Sequence, residues 1–499
     1  MSNCLTVATI FNDHMVLQRD THLKIWGTGE EDALVTITLG KQLHHTTVHK
    51  KHWQITLSPL SLGSPLTMRI TSNTEQIIIS DLLVGDVYLA SGQSNVAMPL
   101  RVTEDGLAEI ESANFPSIRI CDMVVRPYAS STAYLGGDNE VGWEIKSTDL
   151  NWAPCETRFL KNFSALGYHF AKYLHNAIQV PIGIVNCSFG GRPICAWIEE
   201  SYFFKDAQLL DYYYDFKTQL DTINSLNYTT EFAEYLVNIQ RFIHGQTEIW
   251  PTEPIGPFNT SFPSTLFHSM LESILPFAFK AVLWYQGESD ELIPALYTKL
   301  FTALIHNWRN RFENPNLPFF FVQLPCYDTK ESSPDPYLWG HMRMAQEAVA
   351  RTVPNTYRCV TLDVGELEDI HPKNKKIVAY RLSLLVRKYL YDEPILADSP
   401  TIASATLNNN SLSISFNPTT TKLHSKGTNI LGFSVIDSNN NVHSLPGMLH
   451  ENKVHLDISA ISGPYAIHYC YESACHCNLY NEAELPVCAV GNYPITTHP

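Results

Sequence analysis

The chain has 499 residues and a formal net charge of −16, with 44% hydrophobic and 17% charged residues. That length suggests about three domains, and that balance excludes a disordered chain. So acidic a surface argues against broad phosphate binding and sets nucleic acid aside. No run approaches the roughly 18 apolar residues of a membrane span.

The N-terminus, Met1 to Phe11, lacks a basic n-region and a clear apolar h-region. As it stands the sequence reads as cytoplasmic, while an extracytoplasmic or lysosomal setting fits if a leader has been removed. The eleven cysteines form no small-scaffold framework. Their one tight cluster, Cys475-His476-Cys477, lacks the spacing and the second ligand pair of a metal site, so it reads as structural. Cys470 and Cys488 are candidates for a nearby pairing.

Residues 1 to 82 alternate apolar and polar positions in short runs, such as Leu34-Val35-Thr36-Ile37-Thr38-Leu39, punctuated by glycine. This predicts an N-terminal antiparallel β-sandwich-like domain. From 83 to 392 strands alternate with helical stretches, which predicts an α/β domain with a mainly parallel sheet and helices on both faces. Its strands are expected at Val84 to Ala90, Ile182 to Asn186, Ala281 to Tyr285, Phe319 to Leu324 and Cys359 to Asp363. Helices are expected at Phe163 to Ile178, Tyr297 to Phe312, Met342 to Arg351 and Asn374 to Leu390. Residues 200 to 260 form a largely helical insertion rich in tyrosine and phenylalanine, placed as a substrate-facing flap. Short alternating strands return from 393 to 499 and predict a C-terminal β-sandwich-like domain.

Three of the strands end in polar, glycine-containing turns: Ser91-Gly92-Gln93-Ser94-Asn95, Ser188-Phe189-Gly190-Gly191 and Gln286-Gly287-Glu288-Ser289-Asp290. A fourth loop reads Glu366-Leu367-Glu368-Asp369-Ile370-His371-Pro372. Loops that follow parallel strands gather at one sheet edge, where such sheets bind ligands. Brought together there, Ser94 serves as nucleophile and His371 as its base, with a carboxylate in the same loop to orient the imidazole. Backbone N–H groups near Ser94 and at Gly190 and Gly191, with the Gln286 amide, would hold an oxyanion. Each residue alone also fits a plainer role. Ser94, Asn95, Glu288 and Asp290 can cap helices, Gly190-Gly191 can be a tight turn, and a histidine before proline can be a loop residue. No P-loop, G-x-G-x-x-G or H-E-x-x-H occurs, so nucleotide and zinc-protease chemistry have no motif here.

The ordered blocks Ser-Gly-Gln-Ser-Asn, Phe-Gly-Gly-x-Pro-x-x-Ala-Trp, Trp-Tyr-Gln-Gly-Glu-Ser-Asp and Asp-Ile-His-Pro-x-x-Lys resemble the sialate O-acetylesterase family of SGNH-type carbohydrate esterases. Phe11 to Arg19 is similar to the family's N-terminal β domain, and Asn478 to Pro486 to its C-terminal signature. The resemblance implies an SGNH three-layer α/β/α domain between β domains, with Ser94 and His371 catalytic and neither metal nor cofactor. It implies hydrolysis of O-acetyl esters of sialic acid through an acetyl-enzyme. Arg192 stands where relatives have threonine after the glycines. Glu368 occupies the usual place of the orienting carboxylate and Asp369 follows it. Asp369 is the first choice, and a backbone carbonyl the third. An anionic sugar on so acidic a protein needs local arginines, for which Arg101, Arg192 and Arg343 are the candidates. Rival readings are a deacetylase for xylan or another hemicellulose and a glycan-binding module without catalysis. Oligomeric state is open.

Overall fold

The computed structural model describes residues 5–73, 75–123, 126–130, 140–144, 150–222, 225–243, 246, 251–256 and 259–497. The N-terminal strands are β1 (Val16–Gln18), β2 (Leu23–Thr28), β3 (Leu34–Leu39), β4 (Gln42–Thr47), β5 (His52–Leu57) and β6 (Leu66–Ser72). They lead into β7 (Glu75–Gly92), an 18-residue strand. Its first part pairs antiparallel with β6. Its second part is buried on both faces, which explains the continuous apolar run from Val87 to Ala90.

The remaining strands of this sheet are β8 (Asn114–Asp122), β9 (Trp152–Glu156), β10 (Ile182–Ser188), β11 (Ala281–Tyr285), β12 (Phe319–Val322) and β13 (Thr356–Cys359). The order is β9-β8-β10-β7-β11-β12-β13, with β1, β6, β3 and β4 attached through β7. Every pair from β8 to β13 along this order is parallel, and β9 closes one edge antiparallel. The expected boundary at 82/83 therefore falls inside a continuous strand. β2 and β5 pair as a separate two-stranded sheet, and the N-terminal strands share one apolar core with the parallel sheet. Period-two alternation reveals strands but not which sheet they join.

The helices α1 (Ser94–Ala97), α2 (Ala165–Ile178), α3 (Ala207–Asp221), α4 (Ser225–Ile243), α5 (Pro294–Arg311), α6 (Leu338–Thr352) and α7 (Lys375–Leu390) complete the α/β part. Alternation along β13 shows the layering. Arg358 meets Glu347 of α6 on one face (2.8 Å), and Tyr357 stacks on Tyr389 of α7 on the other (4.1 Å). Helix α5 joins α6 through the Thr298 hydroxyl on the Ala345 carbonyl, and α2 joins α7 through the Tyr173–Tyr380 ring pair. The strand expected at Cys359 to Asp363 lies earlier, at Thr356–Cys359.

Beyond α7 come β14 (Thr401–Asn408), β15 (Ser411–Asn417), β16 (Ile430–Ile436), β17 (Val442–His450), β18 (Lys453–Asp457), β19 (Ala466–Tyr469), β20 (Val490–Pro494) and β21 (Thr496–Thr497). They form one sheet in the order β20-β19-β16-β17-β18-β15-β14-β21. Its two edges come from segments separated by Ile495 alone, so the sheet curls into a near-barrel where a sandwich was expected. A disulfide, Cys326–Cys475, ties it to the α/β part. Cys470 and Cys488 are free thiols.

Candidate active site

The central strand ends in a turn that only glycine can make. Gly92 has φ 134°, and a Cβ there would sit 2.1 Å from the carbonyl oxygen of Tyr285. That approach lets the Gln93 N–H donate to the same carbonyl (3.1 Å) and sends the chain into α1. Ser94 is the first helical residue and is half-buried, so its N–H has no partner one turn back.

The loop between β13 and α7 folds over this turn. Asp369 Oδ1 accepts the His371 N–H (2.8 Å), and Asp369 Oδ2 meets Lys373 Nζ (3.1 Å). The Glu366 carboxylate accepts the Lys373 N–H (2.8 Å). So braced, His371 places Nε2 2.8 Å from Ser94 Oγ. With the proton on Nδ1, Nε2 accepts the serine hydroxyl. Asp369 Oδ1 lies 3.7 Å from Nδ1, too far for a hydrogen bond and close enough for charge to be felt. Glu368 is exposed, so the carboxylate beside the imidazole is Asp369.

Burial lowers the His371 pKa below the usual histidine value. Asp369 opposes this, and Lys375 and Lys373 reinforce it. Burial pushes the Asp369 carboxyl upward, but the His371 N–H and Lys373 outweigh it and hold the group below the usual range. Both shifts favour a neutral His371 imidazole beside a charged Asp369 carboxylate.

Gly190 lies against Ser94, since a Cβ at Gly190 would be 3.6 Å from Ser94 Cβ. The Phe189 N–H on the Gly92 carbonyl (3.1 Å) keeps the two turns together. Gly191, at φ 66°, has open space where a Cβ would stand. Gln286 does not fit the role expected of it. Its amide is buried behind the site, with Nε2 donating to the Arg192 carbonyl and to Asp290, and Oε1 accepting from Tyr297 (3.1 Å). A side chain so engaged is not aimed at an oxyanion.

Two of the arginines are also engaged elsewhere. Arg343 is fully buried and donates to the carbonyls of Pro325 (2.9 Å), Cys470 (3.1 Å), Tyr471 (3.3 Å) and Glu472. It fastens α6 to the C-terminal sheet and has no path to a substrate. Arg192 is buried against Glu253 (2.9 Å) and Thr260, where it pins the end of the 200–260 segment beside the Gly190-Gly191 turn. Arg101 is exposed, its Nε donating to Asn162 (3.0 Å).

Three further residues at this site escaped notice as a group. Asn95, Glu288 and Lys375 are all buried. Asn95 Nδ2 donates to Glu288 (2.6 Å) and to the Ile370 carbonyl (3.1 Å). Lys375 Nζ donates to Asn95 Oδ1 and to the Pro372 carbonyl, both at 2.7 Å. Burial draws the Lys375 ammonium down to about 7 and raises the Glu288 carboxyl. A sequence signal existed, because Lys375 opens α7, and a cation is disfavoured at a helix N-terminus unless something holds it there.

A parallel α/β sheet carrying a serine and a histidine in hydrogen-bond contact at its carboxyl edge defines a hydrolase-type site. Residues 243–379 match the model of the family described as carbohydrate esterase, sialic acid-specific acetylesterase. The sialate O-acetylesterase of Rattus norvegicus is 30% identical over 424 residues, covering 77% of this chain and 73% of the relative. That of Homo sapiens is 28% identical over 419 residues, covering 77% and 71%. A carbohydrate acetylesterase from Xanthomonas citri superposes with a TM-score of 0.78 at 25% identity, covering 97% of this chain and 98% of that one. The chain belongs to the sialic acid-specific acetylesterase family of carbohydrate esterases, which makes it a carboxylic ester hydrolase.

Proposed function

We propose that the protein is a serine O-acetylesterase acting on acetylated sugars, with O-acetylated sialic acid as its substrate. The observation that carries the mechanism is the 2.8 Å contact between His371 Nε2 and Ser94 Oγ. His371 takes the hydroxyl proton as Oγ attacks the acetyl carbonyl, and the N–H groups of Ser94 and Gly190 receive the oxyanion. The imidazolium, balanced by Asp369, returns the proton to the leaving sugar oxygen. Water then loses a proton to Nε2 and attacks the acetyl-serine, and acetate departs as Oγ regains its proton. The core is of the SGNH-hydrolase type, with N-terminal strands that run into it through β7 and a C-terminal β domain at 393–499. The disulfide supports an oxidising compartment.

The curated relatives carry the sialate assignment. The engagement of Arg192 and Arg343 favours a second reading, a deacetylase for a neutral polysaccharide such as acetylated xylan. Matched assays on O-acetylated sialic acid and acetylated xylan decide between them. If sialate is the substrate, kcat/KM is higher on it, and Arg101→Ala raises KM for it while sparing a small neutral acetate ester. Preference for xylan, with Arg101→Ala neutral on both, assigns the neutral polysaccharide. Failure to hydrolyse any acetate ester removes the enzymatic reading and leaves a glycan-binding module.

A further inference from the structure

Asn95 follows the nucleophile in the chain, yet its side chain turns away from the reacting atoms and toward the histidine loop. Its Nδ2 holds the carbonyl of Ile370, the residue before His371. Its Oδ1 receives Lys375 Nζ, which also holds the carbonyl of Pro372, the residue after His371. The base is thus gripped on both sides by a bridge anchored one residue from Ser94. Glu288, in the turn that follows β11, accepts an amide hydrogen of Asn95. Within the loop, the Asp369 and Glu366 bonds brace the backbone but do not connect it to the nucleophile turn.

We infer that Asn95 and Lys375 are positioning residues that act as one clamp, setting the distance between Ser94 and His371. This rests on the proposed roles of Ser94 and His371. A buried lysine, aspartate or glutamate is costly unless bonded, so an ammonium spent on an asparagine and a carbonyl beside the base is explained by what it holds. The ammonium has a second effect. The charged groups facing His371 are Asp369 and Lys373 from its own loop and Lys375 from α7. Those facing Lys375 are Glu288, Lys373, Asp369 and Glu366. Removing the Lys375 charge lets the imidazole protonate more easily, so its pKa rises. Because the neutral imidazole is the base, the acid limb of kcat/KM moves to higher pH.

The test compares Asn95→Ala, Lys375→Met and the double variant on a chromogenic acetate ester, with Ser94→Ala in parallel. Asn95→Asp and Lys375→Gln serve where a first choice fails to fold. The clamp predicts that kcat falls about tenfold or more in each single variant with KM little moved, as expected when reacting groups lose alignment. The double variant should be no slower than the slower single one, because both remove the same device. Lys375→Met should also shift the acid limb upward. A merely structural role would lower the melting temperature and leave that limb in place. Losses that multiply in the double variant, or kcat within twofold of wild type in either single, overturn the inference. If Ser94→Ala is inactive while the clamp variants resemble wild type, this inference alone fails. If Ser94→Ala retains full activity, the nucleophile assignment fails with it.

Discussion

The imidazole of His371 meets serine on one side and a charge at 3.7 Å on the other. That geometry makes Asp369 an electrostatic partner more than a hydrogen-bonded one. Asp369→Asn should lower kcat about tenfold, well short of the ~10⁴-fold loss seen where the aspartate grips the ring directly. Glu368→Gln, at an exposed position, should be silent. Steady-state kinetics on a chromogenic acetate ester checks both, and the reverse order would move the role to Glu368. Burial holds the His371 pKa below its ordinary value near 6.5. Activity should therefore rise with pH through a midpoint below about 6.5. A midpoint above 7 in a kcat/KM profile would contradict this.

The residues that meet at the candidate site were legible in the sequence because each ends a strand or sits in a loop at the carboxyl edge. Ser94, His371, Asp369 and Gly190 all meet there. Gln286 shows where such reading stops. It stands at the end of β11 as expected, but Tyr297 and Asp290 draw its side chain beneath the edge, which strand position alone does not reveal. Lys375 was harder to find, since its partners are one backbone carbonyl and an asparagine 280 positions away, and its one mark in the sequence is a cation at the start of a helix.

At the level of elements, two glycines beside the nucleophile serve different ends. Gly92 is a geometric requirement, with φ 134° and no room for a Cβ beside Tyr285. Gly92→Ala should cost about 3 kcal/mol or more in a denaturant melt and abolish activity with the turn. Gly190 has space, since a Cβ would make ordinary contact at 3.6 Å with Ser94. Gly190→Ala should keep wild-type stability yet lower kcat/KM about tenfold by narrowing the acyl site. Equal loss of stability in both variants would refute the distinction. Strands β7, β10, β11 and β12 and helices α2, α5, α6 and α7 were legible from their periodicity and glycine punctuation, while β8 and β9 were not. The join between β7 and the N-terminal strands was not, because Ile77-Ile78-Ile79 and the run from Val84 read as two strands while the backbone makes one.

Across the whole molecule, the C-terminal near-barrel is fastened by Arg343 and by the Cys326–Cys475 disulfide. Arg343 was expected at the substrate, because pattern alone cannot show that a second β structure covers that face of α6. Arg343→Met strands four buried carbonyls, so it should lower stability by about 3 kcal/mol in denaturant unfolding. It should leave KM for a small acetate ester unchanged at a temperature where the variant is folded. A rise in KM specific to O-acetylated sialic acid would return Arg343 to the binding site.

The central claim, that Ser94 carries the acetyl group during turnover, is tested most directly by rapid acid quench of the working enzyme and mass spectrometry of its peptides. With a chromogenic acetate ester, one acetyl group should be found on Ser94 of the wild type and none in Ser94→Ala, which should not turn over. An acetyl group trapped on another residue, or hydrolysis by Ser94→Ala at the wild-type rate, would contradict the account.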